Sequence, residues 1–380
     1  MIKIKHKKLK IPFITLFLFI FTSQVLSYQS DPNNAALLYY QAYISYEKAD
    51  ETIMNMVDDF SKGEIELNEK IKKYIKNCRV AIKLAADAGD IPNCDWGLKY
   101  SDGFNMRMEH LGQARYLSSL IVSDARIFAD EGDYPKAIDR YLTARKLAQH
   151  ISDENIISIL VSVAVNKLAD SCIRDVLGDM PDDLDTLKSL KTKLALIANK
   201  PLSVKRAFRT EEIMRLNHME QPTEMLVGEP FENADESFVA KNRDYYKKYM
   251  DSVQEILSLP ESYVNIYTKL KELNDKLQKD ASDNPNATMA ARLAPRLFNI
   301  SWYEVRDKNN LNAIRAAIEI YIIKVRSGKF PDELPEGLPK DLFSDKDFIY
   351  AKTGDGFILR CQGKDLDRNE IHEYEFKVKK

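Results

Sequence analysis

ARYLSSLIVSDARIFADEGDYPKAIDRYLTARKLAQH, residues 114–150, sets the architecture expected of this chain. Apolar residues recur at helical spacing on both sides of its middle. Ala114, Leu117, Ile121, Ala125 and Phe128 line one helix, and Tyr134, Ala137, Ile138, Tyr141, Ala144 and Ala148 line a second. Between them stands Glu131-Gly132-Asp133-Tyr134-Pro135. A glycine, a capping acid and a proline in that order stop one helix and start the next. Two amphipathic helices joined by so short a turn fold back on each other. The alanines let the backbones approach, and the aromatics fill the groove between them.

This spacing resembles one tetratricopeptide (TPR) repeat over about residues 117–150. Ala125, Phe128, Gly132, Asp133, Tyr134, Ala137, Tyr141 and Ala144 fall on positions that the motif favours. Ile121, Asp124 and Gln149 depart from its usual Trp, Leu and Pro. A weaker echo begins at Asn34-Ala35, after Asp31-Pro32. The resemblance implies hairpin geometry and, carried along the chain, an irregular antiparallel array of helical hairpins.

Outward from the hairpin, helical patterns continue in both directions. Upstream, helices are expected at Ala35–Tyr46 and from about Leu67 to Ala88, the latter stopped by Gly89-Asp90-Ile91-Pro92. Downstream, Ser152 is read as the cap of a helix whose run Ile156–Val165 is apolar nearly all round, the mark of a buried element. Further helices start at Pro181-Asp182-Asp183 and Pro201, and later ones span Ser237–Leu257, Glu261 to about Lys279, and Asn310–Val325. Glu220–Ala240 is acidic, has no Lys or Arg, and reads as an excursion between helices. The division expected is a helical region over 28–218, an acidic linker over 219–236, a second helical region over 237–327 and a small β module over 328–380.

The last sixty residues or so change character, with alternation around Phe348-Ile349-Tyr350 and Phe357-Ile358-Leu359. Thr353-Gly354-Asp355-Gly356 between them reads as a hairpin turn, and Tyr374–Val378 as an edge strand. Gly328-x-Phe330-Pro331-Asp332-x-Leu334, Leu338-Pro339-x-Asp341-x-Phe343, Phe348-x-Tyr350 and Gly354-Asp355-Gly356-Phe357 together resemble the C-terminal half of type II secretion major pseudopilins. That resemblance, over about 311–370, implies a helix leading into a small sheet with a calcium-supporting acidic loop. The whole chain also resembles uncharacterised exported helical proteins of bacteria.

The chain has 380 residues, 44% of them hydrophobic and 30% charged, with only 13 Gly, which favours helices over a phosphate-loop enzyme. Lys3, Lys5, Lys7, Lys8 and Lys10 precede an apolar run, Ile11–Phe21, and Val25-Leu26-Ser27 fits a cleavage site before Tyr28. Residues 1–27 are therefore expected to be a signal peptide, giving an exported, periplasmic or extracellular protein without stable membrane insertion. Removing these five lysines and no acid takes the net charge from −2 to −7, which gives no electrostatic reason to bind nucleic acid.

Metal and nucleotide signatures are missing: HExxH, GxSxG, GxGxxG, GxxxxGK[ST] and CxxC do not occur. The leading expectation is thus a non-enzymatic binding or scaffold protein for a protein or peptide partner in the cell envelope, with no cofactor. Trp96, Tyr100, Tyr134 and Tyr141 are its candidate partner-binding residues. An enzyme would instead use the charged helix carrying Arg206, Arg209, Glu211, Glu212, Arg215 and His218, with Arg209, Glu212, Arg215 and His218 as first candidates. Against that stands ordinary surface pairing at i,i+3 and i,i+4. A third reading, a component of an envelope filament or secretion apparatus, rests on the C-terminal module alone. Asp341, Asp345 and Asp347 are weak Ca²⁺ candidates beside ordinary turn acids, with Asp355, Asp365 and Asp367 near them. Among Cys78, Cys94, Cys172 and Cys361, the first two are the closest in sequence and the first candidate pair for a disulfide.

Overall fold

Gly132 turns the central hairpin with a left-handed φ of 77°, and Asp133 caps the returning helix by accepting from the Lys136 N–H. This is seen in a computed structural model that describes residues 31–152, 155–180, 182–220 and 235–378. The segment read as a signal peptide, with its cleavage site at Tyr28, lies outside the described residues, as do residues 221–234 of the acidic excursion. From Asn34 onward the chain forms one compact unit, mainly helical, ending in a three-stranded antiparallel sheet.

The described helices before the hairpin are α1 (Ala35–Ser45), α2 (Glu51–Lys62), α3 (Glu69–Asn77) and α4 (Arg79–Gly89). The hairpin is α5 (Glu109–Asp130) and α6 (Tyr134–Ile151), and α7 (Ile156–Asp179), α8 (Leu184–Ala198) and α9 (Val204–Glu220) follow. After the acidic segment come α10 (Glu236–Ile256), α11 (Tyr263–Asp283), α12 (Thr288–Ile300) and α13 (Tyr303–Ser327).

Three helix expectations are corrected. The helix expected over Leu67–Ala88 divides at Cys78, which ends α3 and opens α4. α2 is additional to the helices expected: Asp50 caps it at Ile53 N–H and Gly63 ends it at φ 78°. Ser152 belongs to the end of α6; Asn155 caps α7, in a reciprocal capping box with Ser158. The apolar start of α7 is buried on one side only, with Ile157 and Leu160 exposed on the other.

α7 is nonetheless the element around which the rest assembles. It packs against α5, α6, α9, α13 and the last strand. Its buried stripe of Ile159, Val165, Ala169, Cys172, Ile173 and Val176 also carries Ser162, Asn166 and Asp170 inward. Each fully buried large apolar side chain contributes about 1.5–3 kcal/mol, so the polar ones on the same face need partners of their own.

The sheet has the order β1 (Ile349–Lys352), β2 (Gly356–Arg360), β3 (Glu373–Lys377), with Tyr350 paired to Leu359 and Leu359 to Tyr374. Phe357 stacks on Phe376 at 5.1 Å and meets Tyr321 of α13 at 5.6 Å. Gly178 of α7 is a glycine by necessity, because a Cβ there would stand 2.2 Å from the Lys377 carbonyl oxygen of β3.

Two turns of the module repeat each other. KDLFSDKDFIY (340–350) and KDLDRNEIHEY (364–374) share Lys-Asp-Leu and the closing Tyr. In each, the aspartate N–H donates to the carbonyl five residues on, at 2.8 Å, and Asp345 and Asn369 hold matching left-handed φ values of 58° and 60°. Asp341 and Asp365 are fully buried and accept from the N–H two residues ahead. Gly363 seats the two turns together, since a Cβ there would lie 2.3 Å from Phe343 carbonyl carbon.

Candidate functional site

α6 is buried on most of its circumference from Tyr141 to Ala148, and its remaining side forms the floor of a groove. The groove has a volume of about 1310 Å³. Its walls are the end of α4 through Pro92, the end of α8, residues 199–203, Arg206 of α9 and Glu304 of α13. Polar ties fix these walls. Lys146 holds Asp90 at 2.5 Å, and Lys193 holds Asp139 at 2.7 Å. The Gln149 amide donates to the Ile197 and Lys200 carbonyls at 2.7 Å each. Glu304 accepts from the first N–H of α9, Val204, at 2.8 Å.

Two smaller cavities adjoin the groove, and Gln149 lines all three. One, of about 310 Å³, holds Trp96, Tyr100, His150 and Arg206. The other, of about 210 Å³, lies between α6, α7, residues 197–202 and α13.

The four candidate partner-binding residues separate here. Trp96 is buried against Tyr39 at 5.5 Å and His110 at 4.7 Å, and its indole N–H donates to the His150 carbonyl at 2.9 Å. Tyr100 is exposed at the cavity edge. Tyr134 donates its hydroxyl to the Asp179 carbonyl at 2.9 Å, away from the groove. Tyr141 is fully buried and donates to Asp170 at 3.2 Å, so any influence on a ligand passes through Asp170. His150 accepts or donates at Nδ1 with the Tyr39 hydroxyl at 3.0 Å. Burial, helped by the charges of Lys200 and Lys146, lowers its imidazole to a pKa of about 4.

Sequence reading missed a buried polar cluster beside the cavity of about 210 Å³, whose members Arg145 and Asp307 line it. Arg145 donates from Nη1 to Asp170 at 3.0 Å and to Asp307 at 3.4 Å. Asn310 also donates to Asp170. Burial pushes the Asp170 carboxyl up to about 6, against the pull of Arg145. These groups sit on α6, α7 and α13, far apart in sequence, and only Asp170 carried a clue: an acid on the buried stripe of α7.

The charged helix α9 buries part of its charge: Glu211, Glu212 and Arg215 are buried, while Arg206 and Arg209 are exposed. Arg215 pairs with Glu211 at 2.6 Å, and Arg209 with Glu212 at 3.3 Å. Burial raises the Glu212 carboxyl while Arg209 pulls it down. The His218 side chain lies outside the described residues. Arg209, Glu212 and Arg215 line none of the three cavities.

In the C-terminal module, the aspartates read as calcium candidates do not converge. Asp345 and Asp347 are exposed, while Asp341 accepts from Phe343 N–H, Gly363 N–H and the Ser344 hydroxyl. Asp365, Glu370 and His372 bring ligand-type atoms within 4.8 Å of one another. A cation already sits against them: Arg306 of α13 donates to Asp365 at 2.6 and 3.1 Å and to Asp367 at 2.5 Å. His372 adds a contact to Asp365 at 3.0 Å. Burial of Asp365 opposes ionisation, but His372 and Arg306 outweigh it and hold the carboxyl well below the usual range. A metal ion bound through Asp365 would have to displace this guanidinium.

Cys78 and Cys94 do not form the expected bridge; both are free thiols. α4 stands between them, and its 11 residues rise about 1.5 Å each, well past the ~7 Å that a disulfide spans between Cα atoms.

No family model matches the chain, and neither a curated protein nor a solved structure shows significant similarity to it.

Proposed function

We propose that this chain is an exported, non-enzymatic binding module, a TPR-like array whose groove over α6 receives an extended segment of a protein partner in the cell envelope. The observation that carries the reading is the groove of about 1310 Å³, long enough in its lining to run from Gly89 and Pro92 to Leu202 and Glu304. Its rim offers Leu196 and Pro201 beside the cations Lys200 and Arg206, a surface suited to a segment that alternates apolar and acidic residues. Leu196 is 67% exposed although apolar, which fits a side chain awaiting cover. The hydrogen bonds from the Gln149 amide to the Ile197 and Lys200 carbonyls, and from the Val204 N–H to Glu304, tie the walls together, so less has to be ordered on binding. The enzyme reading has less support, because Arg209, Glu211, Glu212 and Arg215 of α9 pair with one another away from these cavities, and of the charged set on that helix Arg206 alone lines the groove among the described residues.

The test is affinity capture with crosslinking, from the envelope fraction of the host, using tagged protein from Tyr28 onward. One protein in near-stoichiometric yield is expected. Leu196→Asp with Lys200→Glu should abolish its recovery while leaving the circular dichroism spectrum unchanged. Equal recovery with that double variant would overturn the groove as the binding face.

A further inference from the structure

The cavity of about 210 Å³ beside the groove contains a mismatch that a partner segment in the groove does not explain. Two of its lining side chains, Arg145 and Asn166, are more than nine-tenths buried, and each keeps one buried polar atom without a hydrogen-bond partner. For Arg145 the atom is Nε, a donor; for Asn166 it is Oδ1, an acceptor. Buried polar groups are nearly always paired, and leaving one unpaired is costly. One orphan of each kind on a single cavity calls for an occupant that both accepts and donates.

The charges on the walls point the same way. Asp307 lines the cavity, with Asp170 behind it on Arg145. Opposite in sign are Arg315 and Lys200, whose charged ends have no ion-pair or hydrogen-bond partner among the described residues. Charges of both signs facing one small space suit an occupant with both signs. A bound water needs only about 10–15 Å³ of such volume, so the space exceeds one solvent molecule and holds a small organic one.

We infer that this cavity is a binding site for a small zwitterion of the α-amino acid class, with its ammonium toward Asn166 Oδ1 and Asp307 and its carboxylate toward Arg145 Nε and Arg315. The inference goes beyond the partner-binding reading and does not depend on it. A segment lying in the groove needs nothing in this cavity.

The experiment is isothermal titration calorimetry of the protein from Tyr28 onward with L-alanine, glycine and L-serine. Propionate, which lacks the ammonium, and alaninamide, which lacks the carboxylate, are the controls. Saturable binding of at least one amino acid is expected, with each control weaker by about tenfold or more, the size of one lost charged contact. Asn166→Ala and Arg315→Gln should each weaken the amino acid by about tenfold at unchanged circular dichroism. Asn166 sits in the core helix α7; if its variant fails to fold, the partly exposed Arg315 carries the test. Absence of heat with all three amino acids overturns the inference. So does propionate binding as tightly as alanine, a folded Arg315→Gln that binds normally, or a crystal soaked in L-alanine with only water in the cavity. The single variant Leu196→Asp, which alters the groove and leaves the cavity lining intact, separates the two readings. Loss of partner capture beside retained binding with Arg315→Gln would remove the cavity and keep the groove.

Discussion

Two clusters in this molecule have the same ingredients, one arginine and two aspartates, and opposite outcomes. In the C-terminal module Arg306 faces Asp365 and Asp367; in the helical body Arg145 faces Asp170 and Asp307. The two meet on one helix, because Arg306 and Asp307 are neighbours on α13 and point about 100° apart around its axis. Arg306 uses Nε and Nη2 together on Asp365, so the fork of the guanidinium matches the fork of the carboxylate. Arg145 reaches both acids through Nη1 and leaves Nε unpaired. The first cluster is closed and holds Asp365 ionised; the second is open toward a cavity, and burial raises Asp170 to about 6. Composition does not make the difference between a structural clamp and a site. The count of satisfied donors does.

The sharpest break in the comparison is Arg306→Ala. It removes the paired guanidinium from a fully buried carboxylate, leaving His372 and neutral donors on it, and a loss of about 3 kcal/mol is expected in urea unfolding at neutral pH. Arg145→Met should cost about 3 kcal/mol at pH 7 by the same mechanism. Its cost should shrink as pH falls below about 6, where Asp170 takes up a proton. A loss that stays constant from pH 7 to pH 5 would show that the second cluster is as closed as the first.

Acid titration sharpens the contrast further. Asp170 is raised from 3.8 to about 6, so the folded state holds its proton more tightly, and the stability it contributes is lost as pH rises through about 6. His150 is lowered from 6.5 to about 4, so its contribution is lost as pH falls from 6.5 toward 4. The two oppose each other in one window. In melting curves between pH 4 and 6.5, His150→Phe should leave a protein that gains stability on acidification, and Asp170→Asn one that loses it. The smallest expected effects come from the tyrosines that touch each cluster. Tyr263→Phe removes a donor to Asp365 at 3.3 Å, and Tyr141→Phe one to Asp170 at 3.2 Å, each worth about 1 kcal/mol. Only the second should alter the pH at which stability changes.

What could be read in advance follows from range. The hairpin at Gly132, the stop at Gly89 and the alternating strands near Tyr350 and Phe357 are signals between residues a few positions apart. They appear in the structure within a residue or two, as α5–α6, the end of α4, β1 and β2. α2 was missed because its cap and stop, Asp50 and Gly63, flank a short helix with acids in its middle. The turn repeat beginning Lys340-Asp341-Leu342 and Lys364-Asp365-Leu366 was equally local and equally readable.

The candidate site belongs to the other kind of information. Arg145 looks in sequence like a surface residue among Thr143, Lys146 and Gln149, and Asp307 like a helix-surface acid beside Lys308. Both are buried because α13, more than 150 residues after α6 in the chain, packs across α7 and α8 and closes over them. Local sequence therefore determined the helices, their caps and the small sheet, since hydrogen bonds between near neighbours settle those. Packing between distant helices determined which charges left water and which of them stayed unsatisfied, because burial is a property of the whole core and of no single segment.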